Sequence, residues 1–126
     1  MKKCVFIVTV LIPLFSFCQI INIPADYPTI QEGINAAQEN DIILVDTGTY
    51  YENIDFLDKN ITVASNYLYQ KDSSYIFNTI IDGSNPANPD FGSVVTIAGG
   101  QDTTSVLYGF TITGGSGFYV AGATPY

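Results

Sequence analysis

Carboxylates carry almost all the chemistry this chain is equipped to do. Its 126 residues include 12 Asp and Glu but no His, Trp or Arg, and its two cysteines are Cys4 and Cys18. A Ser-His-Asp triad, a Cys-His pair, a His-ligated zinc and an arginine base are therefore excluded within this segment. What remains is carboxylate, lysine or tyrosine chemistry: acid and base work on sugars, or oxygen ligation of calcium. Glu52 lies in "DTGTYYENI", Asp46 to Ile54, directly after an apolar run, and Asp82 lies in "IDG". Each also has a structural reading. In the first stretch Gly48 takes a positive φ at a corner, Tyr50 offers a flat ring to stack on a neighbouring layer, and Glu52 accepts hydrogen bonds from turn amides. In the second, an aspartate before glycine closes a turn. Glu52 and Asp82 are thus weighed as substrate-binding candidates against those roles. No residue is assigned as catalytic or as a metal ligand, and no cofactor is required, calcium being an option for a longer form of the protein.

The chain that must position these residues opens with "MKKCVFIVTVLIPLFSFCQ". Lys2 and Lys3, the apolar run from Val5 to Phe17, and Ser16 and Cys18 at the small-residue positions predict a secretory signal over residues 1–18. Cleavage is expected between Cys18 and Gln19, with export to the medium or the cell surface. The run is shorter than the roughly 20 apolar residues a bilayer core requires, so no membrane partner is expected once the signal is removed. Bulky Phe17 argues against Cys18 as an acylated lipoprotein residue. Processing also removes two of the four lysines and both cysteines. Lys59 and Lys71 then stand against 12 acids, a net charge of −10, with no disulfide to staple the domain. Nucleic acid is excluded as a partner, because no basic patch is left to displace counterions from phosphates.

Residues 19–126 read as one domain. After the entry segment "IINIPADYP", the stretch "TIQEGINAAQEN" places Thr29 three residues before Glu32, a capping-box spacing, with Ile30, Ile34 and Ala37 on one face. That predicts one short amphipathic helix, ended by Asn40 and Asp41. Strands follow with no second helix: "IILV", "ENIDF" alternating at Ile54 and Phe56, "NITVAS" alternating at Ile61 and Val63, then "NTIIDG", "SVVTIAGG" and "SVLYGFTITGG". In the last of these Val106, Tyr108, Phe110 and Ile112 alternate, with a bend at Gly109. The connections "QKDSSYIFN" and "DGSNPANPDFG" are too long for tight hairpins. An antiparallel sandwich stays open, but one helix followed by short strands suits a solenoid whose helix plugs its first open coil. The nine tyrosines could form a sugar-stacking face or pack inside the coils.

The stretch "PADYPTIQEGINAAQENDIILVDTGTYYENIDFLDKNITVAS" resembles the opening of right-handed parallel β-helix proteins of the pectin lyase-like superfamily. It has a P-T-I-Q helix, a strand, G-T-Y-x-E, another strand and K-N-I-T. "TIIDG", "SVVTI" and "GFTITGG" look like later coil strands of the same family. The resemblance implies an all-β fold, a right-handed parallel β-helix with one N-terminal capping helix. Gly48, Tyr50 and Glu52 match the first signature of the pectin methylesterases, but "QAV" and "DFIFG", where that family carries catalytic carboxylates, are missing. "DFGS", Asp90 to Ser93, falls in a connection and receives no role. Two functions follow as expectations. One is a non-catalytic scaffold or carbohydrate- and surface-interaction part of a larger extracellular protein. The other is the front of a polysaccharide-active enzyme of the pectin methylesterase, pectate lyase or glycoside hydrolase type, with its catalytic residues downstream of Tyr126. Both expect polysaccharide as a partner and further coils of the same chain to stack on these.

Overall fold

The computed structural model describes residues 18–98 and 104–118. The signal-like run over residues 1–17 and the last eight residues lie outside that description. Strand β1 (Ile20–Ile23) leads into helix α1 (Ile30–Ala36), then β2 (Ile42–Val45), β3 (Gly48–Tyr50), β4 (Ile54–Asp55) and β5 (Thr62–Ser65). Two short helical segments follow, α2 (Tyr67–Gln70) and α3 (Ser74–Asn78), before β6 (Thr79–Asp82), β7 (Phe91–Gly92) and β8 (Val95–Thr96). The described chain ends with β9 (Val106–Tyr108), β10 (Thr111–Thr113) and β11 (Gly117–Phe118).

Strands make up most of the regular structure, and they pair mainly in parallel, which places the chain in the all-β class. One sheet has the order β1-β2-β5-β9, a second β10-β6-β3, and a third pairs β4 with β8. Leaving β2, the chain visits the second sheet at β3 and the third at β4, then returns to the first at β5, beside β2. The next circuit runs β5, β6, β8 and back to β9. Among the described residues only β7 and β11 pair antiparallel.

In-register parallel pairing stacks like on like. Ile21, Ile43, Val63 and Leu107 form one column, and Ile23, Val45 and Ser65 a second. Ile43, Val45 and Val63 are fully buried, as are Ile54, Phe56, Ile61 and Ile81 from the other walls. These side chains fill the space the sheets enclose, and burial of their apolar surface drives the fold. Among the described residues no buried side-chain polar atom lacks a hydrogen-bond partner.

Helix α1 covers one end of this core. Ile30 and Ile34 are fully buried and Ala37 nearly so, as the amphipathic spacing predicts. Gly33 allows the close approach: a Cβ there would come within 2.8 Å of Ile23 Cδ1.

Three expectations need correction. Helix α1 is not alone, because α2 and α3 occupy "YLYQ" and "SYIFN". Neither buries a residue, so neither leaves an apolar period in the sequence. The entry segment is itself a strand, β1. In β9 the inward residue is Leu107, whereas Val106 and Tyr108 are exposed on the outer face. The chain bends at Gly109 (φ +83°), and the alternation changes phase there, which puts Phe110 against the core.

Candidate functional site

Glu52 turns its carboxylate onto the helix. It accepts hydrogen bonds from the N–H groups of Ile30 (2.9 Å) and Gln31 (3.0 Å). The Thr29 hydroxyl accepts from Glu32 N–H at 3.1 Å and donates to the Glu32 carboxylate at 3.1 Å, while Gly33 N–H donates to the Thr29 carbonyl at 3.2 Å. The N–H groups of Ile30, Gln31 and Glu32, which the helix cannot satisfy internally, are thereby all bonded, and Gly33 makes the first bond of the helix itself. The negative charge also lies where the helix dipole favours it.

The opposite end is held by a cation. Lys59 Nζ donates to the carbonyls of Ile34 (2.8 Å), Asn35 (3.0 Å) and Ala37 (2.8 Å). Between the two ends the Gln31 side-chain amide acts as a strand would. Its Oε1 accepts from Asp55 N–H at 2.8 Å and its Nε2 donates to the Asp55 carbonyl at 3.1 Å. Asp41, nearly fully buried, accepts from Gln19 N–H (2.8 Å) and Gln38 N–H (2.9 Å), joining the entry of the chain to the exit of the helix. Sequence reasoning assigned no role to Gln31 or Lys59 and gave Asp41 only the end of the helix. The available signal for Lys59 was its rarity, one of two lysines beyond the signal-like segment.

The corner itself is closed by Tyr50, whose hydroxyl donates to the Asp46 carbonyl at 2.8 Å. Burial raises its pKa above the ordinary 10.0, and the nearby charges of Asp46 and Glu52 push the same way. A phenol so held is a poor base at neutral pH. Its ring lies beside Gly48, which has φ +151°, a conformation a side chain would disfavour. Asp82 is a turn residue, accepting from Ser84 N–H at 2.9 Å. Hydrogen bonding from the Ser84 side chain, then from its backbone, lowers the Asp82 pKa. Glu52 and Asp82 meet through backbone alone, Glu52 N–H donating to the Asp82 carbonyl at 3.0 Å. Their carboxylates are engaged with different partners, so the arrangement is not an acid/base pair.

Comparison with family models, with curated proteins and with solved structures finds no match in any of the three. Among the described residues no group of three or more acidic, His or Cys side chains is placed to hold a metal. Nor is any helix there long and apolar enough to cross a membrane.

Beside the corner lies a cleft of about 440 Å³, between Tyr51 to Asn53 on one side and the loop from Asn85 to Phe91 on the other. Tyr51 is 73% exposed and Phe91 54%. Neighbouring tyrosines thus divide the work: Tyr50 closes the corner, and Tyr51 faces the cleft. "DFGS", placed by sequence in a connection, supplies the two-residue strand β7 at the cleft's edge.

Proposed function

We propose that residues 19–126 form the front coils of a right-handed parallel β-helix of the pectin lyase-like kind, exported and serving as a non-catalytic wall in a larger extracellular assembly. The return of the chain to the same sheet after each circuit supports the coil reading, and α1 covering one end supports the cap. One observation carries the non-catalytic reading. The carboxylate of the G-T-Y-x-E corner is engaged with two helix amides, and its partner tyrosine holds the turn closed. A general acid or nucleophile needs a carboxyl group directed at substrate, with a second one across the bond to be broken. Neither condition is met by Glu52 and Asp82. The test is incubation of the full chain with pectin, pectate and alginate in the presence of calcium, following reducing ends, released methanol and unsaturated product. No turnover is expected; turnover that Glu52→Gln abolishes would overturn the reading.

A further inference from the structure

Asp41 is a buried carboxylate whose hydrogen bonds leave its charge unmatched. It is 3% exposed, and it accepts from Gln19 N–H on Oδ1 (2.8 Å) and from Gln38 N–H on Oδ2 (2.9 Å). Its backbone is equally fixed: the N–H donates to the Gln38 carbonyl (3.1 Å), and the carbonyl accepts from Thr62 N–H (3.0 Å). Two amides satisfy the oxygens but bring no net charge. Lys59 is engaged with the carbonyls of Ile34, Asn35 and Ala37, and Lys71 lies over the rings of Tyr67 and Tyr108, so among the described residues no lysine reaches Asp41. A buried anion without a counter-charge is costly to keep out of water.

The nitrogen on Asp41 Oδ1 belongs to Gln19, the residue that the proposed export makes the first of the exported chain. Hydrolysis of the Cys18–Gln19 peptide bond gives the hydroxyl of a water to the Cys18 carbonyl carbon and its hydrogen to the Gln19 nitrogen. At neutral pH the new carboxyl group gives up a proton and the new amine takes one up, since an α-amino group titrates near about 8. The product is an ammonium group on a nitrogen that already lies 2.8 Å from the carboxylate. The main chain is held there from both sides of that nitrogen's residue. Ile42 N–H donates to the Gln19 carbonyl at 2.8 Å, and Ile20 and Ile21, each 4% exposed, pair in register with Ile42 and Ile43. The Gln19 side chain, by contrast, is exposed and makes no hydrogen bond among the described residues. We infer that Asp41 is the acceptor for the N-terminal ammonium that processing at Gln19 creates, so that removal of the signal turns an amide contact into an ion pair. A charge-assisted bond is about twice as strong as a neutral one, and cleavage therefore tightens the join between the entry of β1 and the exit of α1. The inference rests on the reading of the chain as exported and cut between Cys18 and Gln19.

The exported protein, recovered from the medium of a secreting host, tests it. Mass spectrometry of the N-terminal peptide reads the first residue, and Gln19 is expected. Glutaminyl cyclase, applied in urea and followed by refolding, then joins the α-nitrogen to the side-chain carbonyl carbon of that glutamine with release of ammonia. The nitrogen keeps one hydrogen and loses its charge, which restores the contact of the uncut chain. The unfolding equilibrium constant of this pyroglutamate form should be about tenfold larger than that of the glutamine form, the scale separating a charged from a neutral hydrogen bond. In Asp41→Asn, which keeps one acceptor oxygen and no charge, the two forms should unfold alike. Should Asp41→Asn fail to fold, the two wild-type forms decide the matter without it. A first residue other than Gln19 would overturn the processing reading together with the inference. Gln19 first, with the two wild-type forms equally stable or with an undiminished difference in Asp41→Asn, would overturn the inference and leave the processing reading intact.

Discussion

The two ends of the stacked sheets are built on opposite terms. At the α1 end the core is covered and each helix terminus is bonded, to Glu52 at one side and Lys59 at the other. At the β9 and β10 end, Val106, Tyr108 and Ile112 are exposed, and among the described residues no strand pairs beyond either. Ile112 shows the contrast most directly. It continues the column of Tyr50 and fully buried Ile81, yet it is 47% exposed because nothing described here lies over it. Position in a column decides burial only when a further layer closes it. An open parallel row is a template for another strand, and at this end no helix covers the core beneath it.

The largest expected effect breaks this comparison at its covered side. Ile34→Asp would place a carboxylate in a fully buried site with no partner and should cost about 4 kcal/mol or more, enough to unfold a domain of ordinary stability. Ile112→Asp, the same chemical change at the open end, should stay within about 0.5 kcal/mol and reduce self-association. Chemical denaturation of both variants, with sedimentation to read association, checks the pair. Similar destabilisation by the two would mean that the ends do not differ in the way the exposures imply.

That asymmetry was partly legible beforehand. Thr29 and Glu32 at capping-box spacing, and Ile30, Ile34 and Ala37 on one face, predicted α1 because a helix start and an amphipathic period are local signals. Ile54 with Phe56 and Ile61 with Val63 were legible for the same reason. The clamp was not. Glu52 reaches amides at Ile30 and Gln31, and Lys59 reaches carbonyls from Ile34 to Ala37; such pairings depend on how one circuit lies on the next. Local period carries no information about that register. At the open end the alternation through "SVLYGFTITGG" misled, since the change of phase at Gly109 is invisible to a count of apolar residues. In the cleft beside the corner, Asn53 and Asn88 gave no signal, because an asparagine in a polar stretch reads as a turn residue.

A second, smaller effect sharpens the comparison through Lys59 and Lys71. Lys59 caps three carbonyls, whereas Lys71 lies over the rings of Tyr67 (5.5 Å) and Tyr108 (5.3 Å) near the open end. Lys59→Met should cost about 1–2 kcal/mol, as charge-assisted bonds at a helix C-terminus are lost, and Lys71→Met about 0.5 kcal/mol for an exposed cation–π contact. Glu52→Ala belongs with Lys59, at about 2–3 kcal/mol, and Glu52→Gln should recover part of it by keeping one acceptor. The double variant of Glu52 and Lys59 should show coupling of at least about 0.5 kcal/mol, because both act on the same short helix. Additive losses would mean that the helix does not respond as one unit.

The smallest effect is a pH dependence belonging to the corner alone. The pKa of Tyr50 is raised in the folded chain, chiefly by burial and then by Asp46 and Glu52, so the folded state holds the phenolic proton more tightly than the unfolded state does. The contribution is fully present below the ordinary tyrosine pKa of 10.0 and is lost as pH rises through the higher folded value. Deprotonation also removes the donor to the Asp46 carbonyl and adds a third negative charge beside two carboxylates. Because the ring is only part-buried, solvent screening keeps the loss small. Tyr50→Phe should cost about 1 kcal/mol at neutral pH through the missing hydrogen bond, and should flatten the alkaline limb of stability above pH 10. Denaturation midpoints of the two proteins across the alkaline range decide it. An alkaline limb that survives unchanged in Tyr50→Phe would move the titration to another group and leave the corner held by Glu52 alone.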